Sequence, residues 1–187
     1  MLVFGFDIGT KFGWASFSGG ALLGSGAHDL SLKAGEHPGQ RYLRLAKWLD
    51  QGATEMIRKR GAASCDVLIA YEDVQSHERR DRESGQRWFA TTAAHVYGGL
   101  RAIVEGWAAA RGYDVLPVGV GTWKAALGCT GGSRATKGDV MRCVRLMQIS
   151  PATQDEADAI GVAFSAERTA TWNRRTARPG PTTLPKR

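Results

Sequence analysis

Asp7 closes an apolar run, Leu2 to Phe6, that reads as a short buried strand, and Ile8-Gly9-Thr10 follows it. A lone carboxylate in such a place is costly unless a cation or hydrogen bonds offset it. Glu72 repeats the arrangement at the end of a second apolar run, Asp66-Val-Leu-Ile-Ala-Tyr-Glu72. Asp155 and Asp158 stand three apart at the start of a helical stretch and so share a face. In α/β sheets, sites gather at the C-terminal ends of strands. If the two apolar strands are adjacent and parallel, Asp7 and Glu72 meet there, and a helix laid across the sheet can add Asp155 and Asp158. Carboxylates gathered so closely cannot all ionise without a cation. Oxygen donors with no thiolate or imidazole among them favour Mg²⁺ or Mn²⁺. Two such ions can activate water and stabilise the leaving oxygen in phosphodiester hydrolysis. Each acid alone also has an ordinary reading, as a turn residue, a strand end or a complement to a helix dipole.

Several elements must position these acids. Leu2 to Ile8, Phe12 to Ser18 and Ala21 to His28 read as three strands, the last two joined by the hairpin signal Gly19-Gly20. Residues 40–61 follow a helical period, with Tyr42, Leu45, Ala46, Leu49, Ala53, Met56 and Ile57 on one face. The strand ending in Glu72 comes next. Ser76 to Arg87 is dense in charge of both signs and reads as an exposed loop or frayed helix start. Trp88 to Trp107 returns to a helical period interrupted by Gly98-Gly99, a pair that suggests close packing against another backbone or a kink. Tyr113 to Val118 is a strand, Val120 to Leu127 a short helix, and residues 128–135 a flexible loop. Thr136 can cap a helix from Lys137 to Gln148, and Pro151 breaks it. Thr153 and Glu156 form a capping-box pattern for a last helix ending at Arg168. The order βββ-α-β-α-β-α-α-α predicts an α/β fold: an antiparallel meander, then βαβ crossovers, in a mixed sheet of five strands with helices on both faces.

With 187 residues the chain reads as one domain, residues 1–168, followed by a basic tail, residues 169–187, expected to be disordered. No apolar run approaches the ~20 residues that span a bilayer, and no basic-then-apolar leader opens the chain, so no membrane partner is expected. Cys65, Cys129 and Cys143 are widely spaced and fit no zinc pattern, which suggests reduced thiols and a cytoplasmic setting. The net charge of +7 points to a polyanionic partner. Five of the basic residues follow Arg168 with no acid among them, leaving 20 basic against 18 acidic residues in the body, so the charge is local.

The segments Phe4-Gly-Phe-Asp-Ile-Gly-Thr10, Leu68-Ile-Ala-Tyr-Glu72 and Asp155-Glu-Ala-Asp-Ala-Ile-Gly-Val-Ala163 resemble, in order and spacing, the catalytic motifs of the RuvC-type Holliday-junction resolvases of the RNase H-like superfamily. Residues 125–140, with Gly128, Gly131-Gly132, Ala135 and Lys137, resemble that family's lysine-containing stretch. The likeness covers roughly residues 1–168. It implies an RNase H-like sheet and a homodimer that cuts four-way DNA junctions with two divalent ions per site. Asp7 is then the shared metal ligand, Glu72 and Asp158 each complete one ion, and Asp155 joins the cluster. Lys137 and Lys124 match the family's basic residues near the scissile phosphate, and Arg134 is a candidate DNA contact beside them. The segment after Glu72 departs from the family's apolar, aromatic stretch. There Arg79, Arg80, Arg82 and Arg87 can contact phosphates or pair with Glu78, Asp81 and Glu83, while Trp88 and Phe89 read as core. Other readings stay open: a nuclease for flaps, forks or RNA, or a non-catalytic nucleic-acid-binding module. Asp-Ile-Gly-Thr also opens the phosphate hairpin of sugar kinases and actin-like ATPases, but those need two such domains and the chain is too short.

Overall fold

Alternation along the first strand sets the architecture. Leu2, Phe4 and Phe6 enter one hydrophobic core and Val3 enters another on the opposite face. By the period of two, Gly5 and Asp7 share the face of Val3. The computed structural model of the chain describes residues 1–74, 78–80, 87–89 and 91–176. Its strands are β1 (Leu2–Asp7), β2 (Lys11–Ser18), β3 (Ala21–Asp29), β4 (Val67–Asp73), β5 (Glu78–Arg80), β6 (Arg87–Phe89) and β7 (Asp114–Gly119). Five of them form a mixed sheet in the order β3-β2-β1-β4-β7, as the strand and crossover pattern predicts. β1 to β3 make the antiparallel meander, turning at Gly19 and Gly20, both at positive φ (61° and 82°). β4 runs parallel to β1, and β7 parallel to β4.

One face is covered by α1 (Gln40–Trp48), a π-helical turn over Leu49–Ala53, α2 (Thr54–Arg60) and α3 (Thr91–Ala109). The single expected helix over residues 40–61 therefore contains a π turn, and Gly52 in it lies against the Trp48 indole. That indole meets Phe6, Phe12, Trp14 and His28 at ring separations of 5.2 to 5.9 Å. The glycine pair in α3 serves no backbone contact. Gly99 makes room for the Tyr42 ring of α1, and Gly98 faces open space. The other face carries α4 (Val120–Ala126), α5 (Lys137–Leu146) and α6 (Gln154–Thr176).

Three expectations are corrected. Glu78–Arg80 and Arg87–Phe89 are not loop or helix but an antiparallel ribbon with Arg79 opposite Trp88, and α3 starts only at Thr91. Trp88 and Phe89 favour extended backbone, and the helical period was extended one turn too far toward them. The Thr153–Glu156 capping box is half formed. Thr153 Oγ1 accepts from Glu156 N (3.1 Å), but the Glu156 carboxylate accepts from Ala152 N (2.7 Å) and Ser25 Oγ (2.6 Å), tying the helix start to β3. A complete capping box occurs instead at Thr136 and Asp139, opening α5. The last helix also runs past Arg168 to Thr176, and residues 177–187 lie outside the described residues.

α6 approaches the sheet at backbone distance. A Cβ at Gly5 would fall 2.3 Å from Ala163 N and 2.6 Å from Ala159 O, and one at Gly13 only 1.9 Å from Asp155 O. No alanine fits either position without moving the helix. We expect Gly5→Ala and Gly13→Ala each to cost about 3 kcal/mol or more as overpacked sites. Gly98→Ala, in open helix, should instead stabilise by about 0.5–1 kcal/mol. Urea unfolding midpoints of the three variants check this, and a mild effect at Gly13 would contradict the close approach.

Candidate active site

The helix contact on β1 and β2 decides where the acids fall. Asp7 pairs across the meander with Gly13, and Gly13 is where the Asp155 backbone touches the sheet. One helical turn on, Asp158 shares the face of Asp155. On the parallel side the register runs Gly5↔Ala70 and Phe6↔Tyr71, so Asp7 and Glu72 are the next residues on the two strands. Leu68 and Ala70 enter the α6-side core while Val67, Ile69 and Tyr71 enter the opposite one, which places Glu72 on the face of Asp7.

Electrostatics reports the same gathering. Burial, then Glu72, Asp158 and Asp155 in that order, raise the Asp7 carboxyl well above its ordinary range, and Lys137 opposes them. Burial and Asp158 push Glu72 up to about 7 against the pull of Lys124, Lys137 and Trp123. Burial also raises Asp158 to about 6, opposed by Lys137 and Lys124 and assisted by Asp155. Lys137 is exposed at the start of α5 with Nζ 4.0 Å from Asp155 Oδ1. Lys124 is more confined. Its Nζ donates to Ala135 O (2.8 Å) and sits 5.5 Å over the Trp123 ring.

Arg134 is exposed in a turn between α4 and α5, and among the described residues no ion pair joins it to the acids. Arg79, Arg80 and Arg87 have only their strand backbone described, and Arg82 lies outside the described residues. Asp73, beside Glu72, pairs instead with Arg101 of α3 (3.6 Å). Two contributors went unread in the sequence. Tyr97 of α3 donates its hydroxyl to Glu72 O (2.8 Å) and accepts from Val74 N (3.2 Å), fixing the end of β4. Trp123 lies next to the Glu72 side chain from the other layer. A tyrosine one helix later carries no local signal for such a contact.

The donor set suits a hard divalent cation. Four carboxylates share one face, and their mutual repulsion, relieved in part by Lys137 and Lys124, can be relieved further by protons or by a cation. Among the described residues no three His, Cys, Asp or Glu side chains are already drawn into a ligand geometry.

A pH dependence follows with a definite sign. Glu72 and Asp158 hold protons in the folded chain at pH values where the unfolded chain has lost them. That stabilisation is complete below their ordinary pKa values near 4 and disappears as pH rises through about 6 and 7. Metal-free protein should therefore lose on the order of 3 kcal/mol between pH 5 and pH 8. Urea titrations across that range test it, and a flat profile would dissolve the coupled cluster.

No protein-family model and no curated protein matches the sequence. Solved structures do. RuvC from T. thermophilus in complex with a Holliday junction substrate is 20% identical, with a TM-score of 0.64, over 92% of this chain and 96% of that one. Thermus thermophilus RuvC in another structure is 21% identical, with a TM-score of 0.64, over 92% and 97%. The yeast mitochondrial Holliday junction resolvase Ydc2 is 15% identical, with a TM-score of 0.55, over 93% of this chain and 80% of that one. The mixed sheet with helices on both faces is thus the α/β, RNase H-like fold that this chain has in common with RuvC-type resolvases.

Proposed function

We propose that the chain is a divalent-metal-dependent, structure-selective endonuclease that cuts branched DNA, with the four-way junction as its substrate. The observation that carries this reading is the gathering of Asp7, Glu72, Asp155 and Asp158 on one face of a resolvase-like sheet. Asp7 stands between the strand pair and the helix, so it is the residue suited to serve two ions, with Glu72 on one side and Asp155 and Asp158 on the other. Mg²⁺ or Mn²⁺, when bound, would supply water activation and charge stabilisation at the scissile phosphate. Lys137, exposed at the rim, is placed to meet a phosphate once a cation takes over the neutralising of Asp155. Lys124, held by Ala135 O, lends fixed positive charge to Glu72 and Asp158. Arg134 and the arginines at 79, 80, 82 and 87 are assigned to the DNA backbone, where cations supply affinity without sequence reading. Two copies acting together would give the paired cuts that a four-way junction requires.

The experiment uses labelled four-way junction, fork, flap and linear duplex, each with and without Mg²⁺ or Mn²⁺. Symmetric, metal-dependent nicks confined to the junction are expected. Asp7→Asn should lower cleavage by at least about a thousandfold while junction binding persists. Cleavage retained by that variant would remove Asp7 from the site. Tight binding with no cleavage by the wild type under either metal would favour a non-catalytic module. Preferential cutting of flaps, forks or RNA would reassign the substrate.

A further inference from the structure

Among the described residues Trp123 is the largest fully buried side chain, 1% exposed, in the core between the sheet and α6. Its ring lies on Gly161 of α6, where a Cβ would fall 2.6 Å from Cε3 and 3.0 Å from Cζ3. Its Nε1–H is buried and makes no hydrogen bond. Among the described residues two other buried side-chain nitrogens share that condition, His28 Nε2 beside Trp48 and Trp107 Nε1 beside Tyr113, both on the opposite face of the sheet. The Trp123 nitrogen differs from them in what it faces. Glu72 stands on the same face of the sheet as Trp123, and the hydrogen bond between them is not closed.

The surrounding chain leaves little freedom at this contact. Glu72 pairs in register with Val118 of β7, and α4, which carries Trp123, begins directly after β7. Lys124 pins the next position through Ala135 O. A leucine or phenylalanine would fill the same space with no buried donor left over. An indole there brings a buried N–H beside a group that, when ionised, can only accept.

We infer that Trp123 is a positioning residue for Glu72, its indole N–H closing on one carboxylate oxygen when a cation takes the other, and so setting the direction in which that other is offered. This rests on the metal-dependent reading proposed above. Groups that hydrogen-bond a ligating carboxylate orient it, and their loss weakens metal binding.

The test is Mn²⁺ binding to the full chain, read from the paramagnetic resonance of free Mn²⁺. Trp123→Phe removes the N–H and keeps an aromatic ring, and it should weaken Mn²⁺ affinity about tenfold. Leu127→Ala, which disturbs packing around the same Gly161 but keeps the N–H, should lower the thermal midpoint and leave Mn²⁺ affinity within about twofold. A folded Trp123→Phe protein that binds Mn²⁺ as tightly as wild type overturns the inference and leaves the metal reading standing. Equal weakening in the Leu127→Ala variant overturns it too, since packing alone would then explain the loss. A wild type that binds no Mn²⁺ overturns both readings. If Trp123→Phe does not fold, the wild-type indole spectrum decides. The Trp123 N–H resonance, assigned through its Overhauser contacts with Gly161, should move downfield as Mg²⁺ is added, and a stationary resonance overturns the inference.

Discussion

The rest of the molecule depends on a backbone-to-backbone contact, α6 seated on Gly5 of β1 and Gly13 of β2. Helices usually stand off a sheet by the length of intervening side chains. Here the helix offers Ala159 and Ala163, and the sheet offers no side chain at all at the two points of contact. The contact fixes both the height and the sliding position of α6. Because Asp155 touches Gly13 and Gly13 pairs with Asp7, bringing the helix home also brings its acids to the end of β1. Repulsion among the acids works against this docking. The buried apolar residues of α6, Ala157, Ala159, Ile160, Val162, Ala163 and Ala166, packed in one core with Val3, Ala15, Phe17 and Ala70, work for it.

The site is thus held together by forces outside itself, which is how functional clusters that destabilise a fold persist. Two lysines temper the cost differently. Lys137 is exposed and reaches Asp155 only at 4.0 Å, so it is free to follow a changing charge. Lys124 is anchored by a carbonyl and an aromatic ring, so its contribution to Glu72 and Asp158 is constant. The acids of the cluster can exchange protons for a cation without rebuilding the fold, since the sheet register and the seating of α6 on Gly5 and Gly13 are made by backbone and not by the four carboxylates.

Much of this was legible in the sequence because it depends on local pattern. Apolar runs ending in Asp7 and Glu72 mark strand ends, Gly19-Gly20 marks a hairpin, and the spacing of Asp155 and Asp158 marks a shared helix face. What was hidden depends on tertiary approach. Gly5 and Gly13 carry no local signal of their role, and only the position of α6 shows that their missing side chains admit a helix. The ribbon at Glu78–Arg80 and Arg87–Phe89 was hidden for a different reason. Charges of both signs gave no alternation to read, and the aromatic pair at its end could be absorbed into the period of the next helix. Glu156 shows a local rule overruled. Its spacing from Thr153 fits a capping box, but Ser25 on β3 offers a partner from across the sheet, and the carboxylate takes it.

Asp7 and Glu72 occupy equivalent strand ends yet are secured by different means. Asp7 is set between two strands, with Gly13 on one side and the register of β4 on the other, so the sheet alone determines its place. Glu72 stands one strand further out, where α6 touches the sheet less than it does at β1 and β2. There the two helical layers take over. Tyr97 from α3 binds its carbonyl oxygen from one face, and Trp123 from α4 borders its side chain from the other. A shift of either layer against the sheet would therefore move Glu72 before it moved Asp7, which makes the end of β4 the point where packing of the whole domain is felt by the carboxylate cluster.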